Sequence, residues 1–175
     1  MSDKGHMLQI ALFGLVISTA ASAEAAKPTR EARAKQEARI AACIRTAADG
    51  RPWLEKTLWG LRDQEAGWIG AEIANTDGSH DLGPLQVNSW WVGRIATTTG
   101  RPAHRVRWWL THDPCFNVNA ARWIFLSGLA VTKDYWKAIG VYHSPTAWRQ
   151  RRYSASVASR LTKRFGPAVF TVVAQ

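Results

Sequence analysis

Hydrophobic residues recur at three- and four-residue steps through most of the chain, a spacing typical of helices with one buried face. The pattern predicts a helix over about 34–48, a second helix opened by Pro52, and a last amphipathic helix over about 146–165. Asp113 and Pro114 form a further helix start, with an aspartate cap followed by a proline in the first turn. We therefore expect one mainly α-helical domain.

The segment 70–88 interrupts this pattern directly after the second helix. It carries turn-forming pairs at Asp77-Gly78 and Gly83-Pro84. Short strands on both sides of the first pair fit its composition. The segment predicts a small β-hairpin or an irregular lobe, which gives the domain an α+β character.

One acidic residue, Glu65, falls on the apolar stripe of the second helix. The stripe consists of Leu54, Leu58, Leu61 and Trp68. A carboxyl group that faces apolar walls has a raised pKa, and one still protonated near neutral pH can act as a general acid. The alternative is that the carboxylate reaches water beyond Gly67, which is placed to end the helix.

The residues after Glu65 favour a site that binds a polar ligand. Within 25 residues there are six short polar side chains, namely Asn75, Asp77, Ser79, Asp81, Gln86 and Asn88. Trp68, Trp90 and Trp91 add flat apolar faces of the kind that stack on sugar rings. The alternative for each tryptophan is a place in the core.

Other chemistries lack their motifs in this chain. The five histidines show no H-E-x-x-H spacing, and neither G-x-S-x-G nor a glycine-rich phosphate loop is present. The sequence therefore predicts neither a metal site nor a cofactor.

The N-terminus has the pattern of a secretory leader. A lysine precedes an apolar run over 7–17, and small residues then end at Ala23. This predicts a signal peptide over 1–23 with cleavage after Ala23, a poorly packed lead-in over 24–36 and a domain over 37–170. A retained membrane anchor is the alternative, although the run is shorter than the roughly 20 residues that span a bilayer. We expect a periplasmic or secreted protein with no transmembrane span once the leader is removed.

Two cysteines, Cys43 and Cys115, fit this location because an even number in an exported protein suggests a disulfide. Two buried free thiols are the alternative. The net charge of +10 favours anionic partners, but no nucleic-acid-binding module appears and no nucleic acid is expected. A basic cluster near the C-terminus forms either a solvated helix face or a surface for a polyanion. It comprises Arg149, Arg151, Arg152, Arg160, Lys163 and Arg164.

Three motifs in order give the chain a resemblance to a known family. They are Glu65-Ala66-Gly67-Trp68, then Gly83-Pro84-Leu85-Gln86-Val87-Asn88, then Val141-Tyr142-His143. They resemble the Glu-Ser-Gly-aromatic, Gly-Leu-Met-Gln-(Ile/Val)-Asn and Ala-Tyr-Asn motifs of the soluble-type lytic transglycosylases. These enzymes are relatives of goose-type lysozyme and cleave bacterial peptidoglycan.

Further segments resemble the branch of that family that serves type IV secretion, conjugation and pilus assembly. They are Asp77-Gly78-Ser79, Asp81-Leu82-Gly83, Asn88-Ser89-Trp90 and the stretch 113–117. In that branch a cysteine before the catalytic helix pairs with the one that matches Cys115. The partners implied are glycan strands of peptidoglycan and components of a secretion or conjugation apparatus.

The resemblance implies a lysozyme-like domain in which Glu65 is the single catalytic acid. Glu65 would protonate the glycosidic oxygen between N-acetylmuramic acid and N-acetylglucosamine, with help from the substrate's own N-acetyl group. It would then accept the proton of the sugar's 6-hydroxyl as the 1,6-anhydro ring closes. Gln86, Asn88 and Tyr142 match positions that line the glycan cleft, and Ser79 and Trp68 complete the predicted binding set.

The chain departs from the family at three places near the predicted site. Pro84-Leu85 stands where the family has Leu-Met, a change that also occurs in similar sequences of the secretion branch. Ala66 stands where the family has serine, and His143 stands where it has asparagine. Two other functions stay open: a hydrolytic muramidase in which Asp77 or Asp81 guides water, and a wall-binding assembly factor with little turnover.

Overall fold

The structure, a computed structural model, describes residues 27–170, so the predicted signal peptide and its cleavage site lie outside the described residues. Two helices are followed by three short strands and then by further helices. In chain order, the elements are α1 (Arg30–Ala48), α2 (Pro52–Glu65), β1 (Glu72–Ala74), β2 (His80–Leu82), β3 (Val87–Asn88), α3 (Trp91–Thr99), α4 (Ala103–His112), α5 (Pro114–Thr132), α6 (Tyr135–His143), α7 (Ala147–Phe165) and a short 3-10 helix (Pro167–Phe170). The prediction of a mainly helical domain with a small β lobe directly after the Glu65 helix is confirmed.

Helix α1 begins four residues earlier than the hydrophobic pattern predicts. Thr29 caps it, because its hydroxyl accepts a hydrogen bond from the Ala32 amide at 3.3 Å. Residues 30–36 of the expected lead-in are therefore helical, although most of their side chains are exposed. Gln36 is tied to the domain, since its side-chain oxygen accepts from the Ile69 amide at 2.9 Å.

Helix α2 ends at Glu65 through a left-handed residue, and that residue is Ala66 (φ 52°) rather than the expected Gly67. Gly67 is required for a different reason. A Cβ at Gly67 would lie 2.2 Å from the carbonyl oxygen of Gly83 and 2.8 Å from Nε2 of Gln86. The glycine therefore lets the turn around Gly83 pack directly against the end of α2.

The three strands form one antiparallel sheet in the order β1-β2-β3. Asp81 in the middle strand stands opposite Ile73 on one side and Asn88 on the other. The predicted turn at Asp77-Gly78 joins β1 to β2, with the Asp77 carboxylate accepting from the Ser79 amide at 2.9 Å. The β lobe is thus a hairpin extended by a short third strand.

Helices α1 to α7 and the β lobe all contribute buried residues to one core, which includes the leucines of the predicted α2 stripe. Leu54, Leu58 and Leu61 are fully buried. Helix α7 packs closely on α2, since a Cβ at Gly60 would lie 2.9 Å from the Leu161 side chain. The apolar face of α2 therefore brings its last residue, Glu65, against α7.

The predicted disulfide between Cys43 and Cys115 is present and ties α1 to the first turn of α5. Asp113 caps α5, as predicted, by accepting from the amides of Cys115 and Phe116. Within residues 27–170, no helix combines the length and the apolar composition needed to cross a membrane.

Asn117 on α5 holds the turn that faces the end of α2. Its side chain is fully buried. It donates to the carbonyl oxygens of Leu82 and Leu110, both at 2.8 Å, and accepts from the Leu85 amide at 2.9 Å. These three bonds fix the backbone on both sides of Gly83, which itself leaves no room for a side chain next to Asn117.

Candidate active site

Glu65 lies at the junction of α2, α7 and the β lobe. The hydroxyl of Tyr153, a buried residue of α7, donates a hydrogen bond to Oε1 of Glu65. The carboxyl group is therefore directed at α7, and Glu65 itself is half-buried rather than extended into water past Gly67.

The surroundings of Glu65 raise its pKa from 4.5 to about 7. Burial is the largest cause, because it disfavours the charged form. The negative charge of Asp81 raises the pKa further, whereas the hydrogen bond from Tyr153 lowers it by stabilising the carboxylate. At neutral pH both protonation states of Glu65 are therefore populated.

The C-terminal end of α6 brings two further side chains to this junction. Tyr142 donates to the Leu85 carbonyl at 2.8 Å, which links α6 to the turn after β2. Burial, followed by the charges of Glu65 and Asp81, raises the pKa of Tyr142 well above its ordinary value. The Tyr142 hydroxyl is therefore a neutral hydrogen-bonding group at physiological pH.

His143 follows Tyr142 and stacks flat on the Tyr153 ring, with centroids 4.5 Å apart and planes 5° from parallel. Burial lowers the pKa of His143, the Asp81 carboxylate raises it, and the Arg149 guanidinium lowers it. The histidine is accordingly neutral near pH 7 and contacts the same tyrosine that holds Glu65.

The polar residues of the β lobe form one hydrogen-bonded network. Asn88 donates to Ser79 at 2.9 Å and to Asp81 at 3.0 Å. Ser79 in turn donates to Asp77 at 2.7 Å and accepts from Asn75 at 3.1 Å. The side chains of Ser79 and Asn88 are thus held in fixed orientations, and Asp81 is placed beside Glu65 and Tyr142.

Gln86 lies in the turn that packs on Gly67, two residues after Glu65. Its backbone is left-handed (φ 48°), and its side-chain amide donates to the Gly83 carbonyl at 2.8 Å. Four of the predicted binding residues therefore lie in the turn around Gly83, at the end of α6, or in the hydrogen-bonded network that includes Asp81. They are Gln86, Asn88, Tyr142 and Ser79.

Trp68 does not join this set as a stacking surface. It lies beyond the end of α2 and only 7% of its surface is exposed, so its ring supports the interior and cannot offer a face to a sugar. Trp90 is 72% exposed and follows Asn88, whose side-chain oxygen accepts from the Trp90 amide at 2.9 Å. Trp90 packs edge to face on Trp91 at 5.2 Å. The accessible aromatic face beside the β lobe is therefore that of Trp90.

Tyr153 is the site residue that the sequence reasoning missed. It lies on a buried stripe of α7 with Val157 and Leu161, at a position that hydrophobic periodicity fills with an apolar residue. Its hydroxyl is the one polar group on that stripe. A polar group on an apolar stripe is the signal that identified Glu65, and it could have identified Tyr153 as well. On α7, only the arginines and lysine of the basic cluster were considered as candidate functional residues.

Comparison with protein-family models and with curated proteins found no match to this chain. The site offers one carboxyl group with a pKa near 7, two neutral tyrosine hydroxyls, and oriented amide and hydroxyl groups from the β lobe. Such a set can transfer a proton to and from a polyhydroxylated, amide-bearing substrate.

Proposed function

We propose that this chain is a peptidoglycan lytic transglycosylase that cleaves the β-1,4 bond between N-acetylmuramic acid and N-acetylglucosamine and leaves a 1,6-anhydro end. The observation that carries the proposal is the Glu65 carboxyl group, half-buried, held by Tyr153 and shifted to a pKa of about 7. The order of the sequence motifs supplies the substrate class.

A pKa near 7 suits the two proton transfers that the reaction needs from one residue. Protonated Glu65 donates to the glycosidic oxygen as the bond to the muramic acid carbon breaks. The substrate's N-acetyl group stabilises the resulting oxocarbenium-like centre, as in substrate-assisted glycosidases. Ionised Glu65 then accepts the proton of the 6-hydroxyl, whose oxygen bonds to the same carbon, so that the acid is regenerated.

Tyr153 contributes to the step between these two transfers. Its hydroxyl stabilises the carboxylate that exists after the first transfer, and hydrogen bonds to charged groups are stronger than neutral ones. Burial alone would raise the pKa of Glu65 further, which would favour proton donation but weaken the residue as a base at a given pH. The tyrosine and the apolar surroundings therefore act in opposite directions on one group.

A hydrolytic muramidase is the second candidate, and Asp81 is the observation that favours it. Asp81 lies close enough to raise the pKa of Glu65 by its charge. In a hydrolase, this second carboxylate would direct a water molecule at the sugar. The hydrogen bond from Asn88 goes to one oxygen of Asp81, and among residues 27–170 no side chain donates to the other.

A wall-binding assembly factor with little turnover is the third candidate. The exposed Trp90 and the net charge of +10 favour binding to a glycan-rich, anionic wall without requiring catalysis.

The disulfide and the leader pattern support a periplasmic or secreted location for all three candidates. For the lytic transglycosylase, we propose that cleavage opens the wall locally for a secretion or conjugation apparatus.

The test compares two glutamate-to-glutamine variants on the same helix. Glu65→Gln removes the proposed acid, whereas Glu55→Gln makes the identical change in the first turn of α2. The processed protein is incubated with purified peptidoglycan, and soluble muropeptides are quantified. We expect release by wild type and Glu55→Gln, and loss of roughly 1000-fold or more in Glu65→Gln. Equal release by all three proteins would rule out Glu65 as the acid, and binding without release would favour the assembly factor.

A further inference from the structure

His143 lies against the residue that holds Glu65. Its ring covers one face of Tyr153 at 4.5 Å, nearly parallel, while the Tyr153 hydroxyl donates to Oε1 of Glu65. No other ring stacks on Tyr153 within the described part of the chain.

We propose that His143 is a positioning residue whose ring fixes the orientation of Tyr153 and thereby the hydrogen bond that Tyr153 donates to Glu65. The proposal deepens the proposed function, because the bond it controls belongs to the same site. The geometric reason is that a planar ring in face contact blocks rotation of the phenol ring about its side-chain bonds on that side. A tyrosine that is free to tilt would move its hydroxyl, at the far end of the ring, away from the carboxyl group.

The backbone around His143 is rigid enough to serve this role. Gly140, one turn earlier on α6, packs so tightly on α7 that a Cβ there would lie 2.5 Å from Cβ of Gln150. The Gln150 side chain also donates to the Ser144 carbonyl at 3.0 Å. The corner between α6 and α7 is thus locked one residue after His143 and three residues before Tyr153.

The protonation state of His143 also suits a position against the tyrosine that holds Glu65. Its pKa is lowered, mainly by burial, so the ring is neutral at neutral pH and does not add a cation that would make Glu65 ionise more readily. The charged or titratable groups that influence His143 and its stacking partner come from α2, β2, α6 and α7. They are Glu65, Asp81, Tyr142, Arg149 and Tyr153.

The test measures the pKa of Glu65 directly, by carbon-13 NMR titration of protein labelled at glutamate side-chain carboxyl groups, with Glu65→Gln to assign the resonance. His143→Ala removes the ring, and His143→Phe keeps a ring of similar shape. Because the Tyr153 hydrogen bond lowers the pKa of Glu65, a weakened bond raises it. Truncation also admits water, which acts in the opposite direction, so each variant is also made in a Tyr153→Phe background.

We measure the upward shift in the Glu65 pKa that His143→Ala causes in each background. We expect this shift to be about half a pH unit larger in the wild-type background, which has the Tyr153 hydroxyl, than in the Tyr153→Phe background. His143→Phe is expected to show no such difference. Equal shifts in the two backgrounds, or the same coupling for alanine and phenylalanine, would overturn the proposal. His143→Asn repeats the comparison if the alanine variant does not fold.

Activity supplies a second readout that separates this proposal from the proposed function. If wild type cleaves peptidoglycan, His143→Ala should lower kcat roughly tenfold with KM nearly unchanged, and His143→Phe should restore kcat. If wild type releases no product, the proposed function fails, whereas the NMR titration still decides whether His143 positions Tyr153.

Discussion

Replacing Glu65 with glutamine should make the protein more stable at alkaline pH, even though it removes the proposed acid. In the folded chain the pKa of Glu65 is about 7, compared with 4.5 for an unperturbed carboxyl group. Between these values the folded state binds more protons than the unfolded state. The contribution of Glu65 to the unfolding free energy is therefore fully present below about pH 4.5, and it is lost as the pH rises through about 7.

The size of this loss follows from the two pKa values. Their separation corresponds to about 3 kcal/mol of unfolding free energy, since one pKa unit is about 1.4 kcal/mol. Glutamine has nearly the same shape, stays neutral at every pH and still offers an oxygen to the Tyr153 hydroxyl. We therefore expect Glu65→Gln to be about 3 kcal/mol more stable than wild type near pH 8, and equally stable near pH 4.

Urea denaturation at both pH values measures this difference, and for a domain of this size it corresponds to a rise in Tm of about 6 to 12 °C at the higher pH. Glu55→Gln is the matched control: it keeps Glu65, so its stability should fall with pH as that of wild type does, and its difference from wild type should be the same at both pH values. A Glu65→Gln variant that is less stable than wild type near pH 8, or equally stable at both pH values, would refute a raised pKa for the carboxyl group at this position.

Three further changes test the framework that holds the site. Asn117→Ala removes three buried hydrogen bonds at once, to the Leu82 and Leu110 carbonyls and from the Leu85 amide, so it should cost about 3 kcal/mol of unfolding free energy. Asn119→Ala, on the exposed face of the same helix, should cost less than about 0.5 kcal/mol in the same denaturation assay. Replacing both Cys43 and Cys115 with serine releases a crosslink across 72 residues, and the chain-entropy relation gives a loss of about 4 kcal/mol; an unchanged denaturation midpoint would contradict it. Ala66→Gly should raise the unfolding free energy by about 1 kcal/mol, because glycine adopts the left-handed conformation without penalty; a lower melting temperature in calorimetry would contradict that reasoning.

The helices could be predicted from the sequence because each depends on local signals. The buried leucines of α2 follow its periodicity, and Asp113 caps α5 through bonds to residues two and three positions away. The turn at Asp77-Gly78 likewise depends on neighbouring residues. Composition and spacing were therefore sufficient to predict those features that depend only on residues close together in the chain.

Two local predictions were wrong because contacts between distant segments decided them. Gly67 has the residue type that usually ends a helix, yet Ala66 takes the left-handed position and Gly67 makes room for Gly83 and Gln86. Trp68 belongs to the predicted binding set, but it follows the end of α2 and only 7% of its surface is exposed, so its ring cannot stack on a sugar. Neither outcome could be inferred from the segment alone.

The arrangement around Glu65 lies beyond what spacing can predict. Tyr153 is separated from Glu65 by 88 positions along the chain, and the stack with His143 depends on the tight corner between α6 and α7. The sequence did identify His143 as a departure from the resembled family. Its partner could be found only once the helices were assembled.

Digestion of peptidoglycan in oxygen-18 water, followed by mass spectrometry of the muropeptides, tests the central claim most directly. If Glu65 accepts the proton of the 6-hydroxyl, the released muramic acid ends are anhydro sugars and carry no oxygen from the solvent. Products from Glu55→Gln should be identical, and Glu65→Gln should release none. Reducing ends that each carry one oxygen-18 atom would contradict the account and identify the chain as a hydrolase.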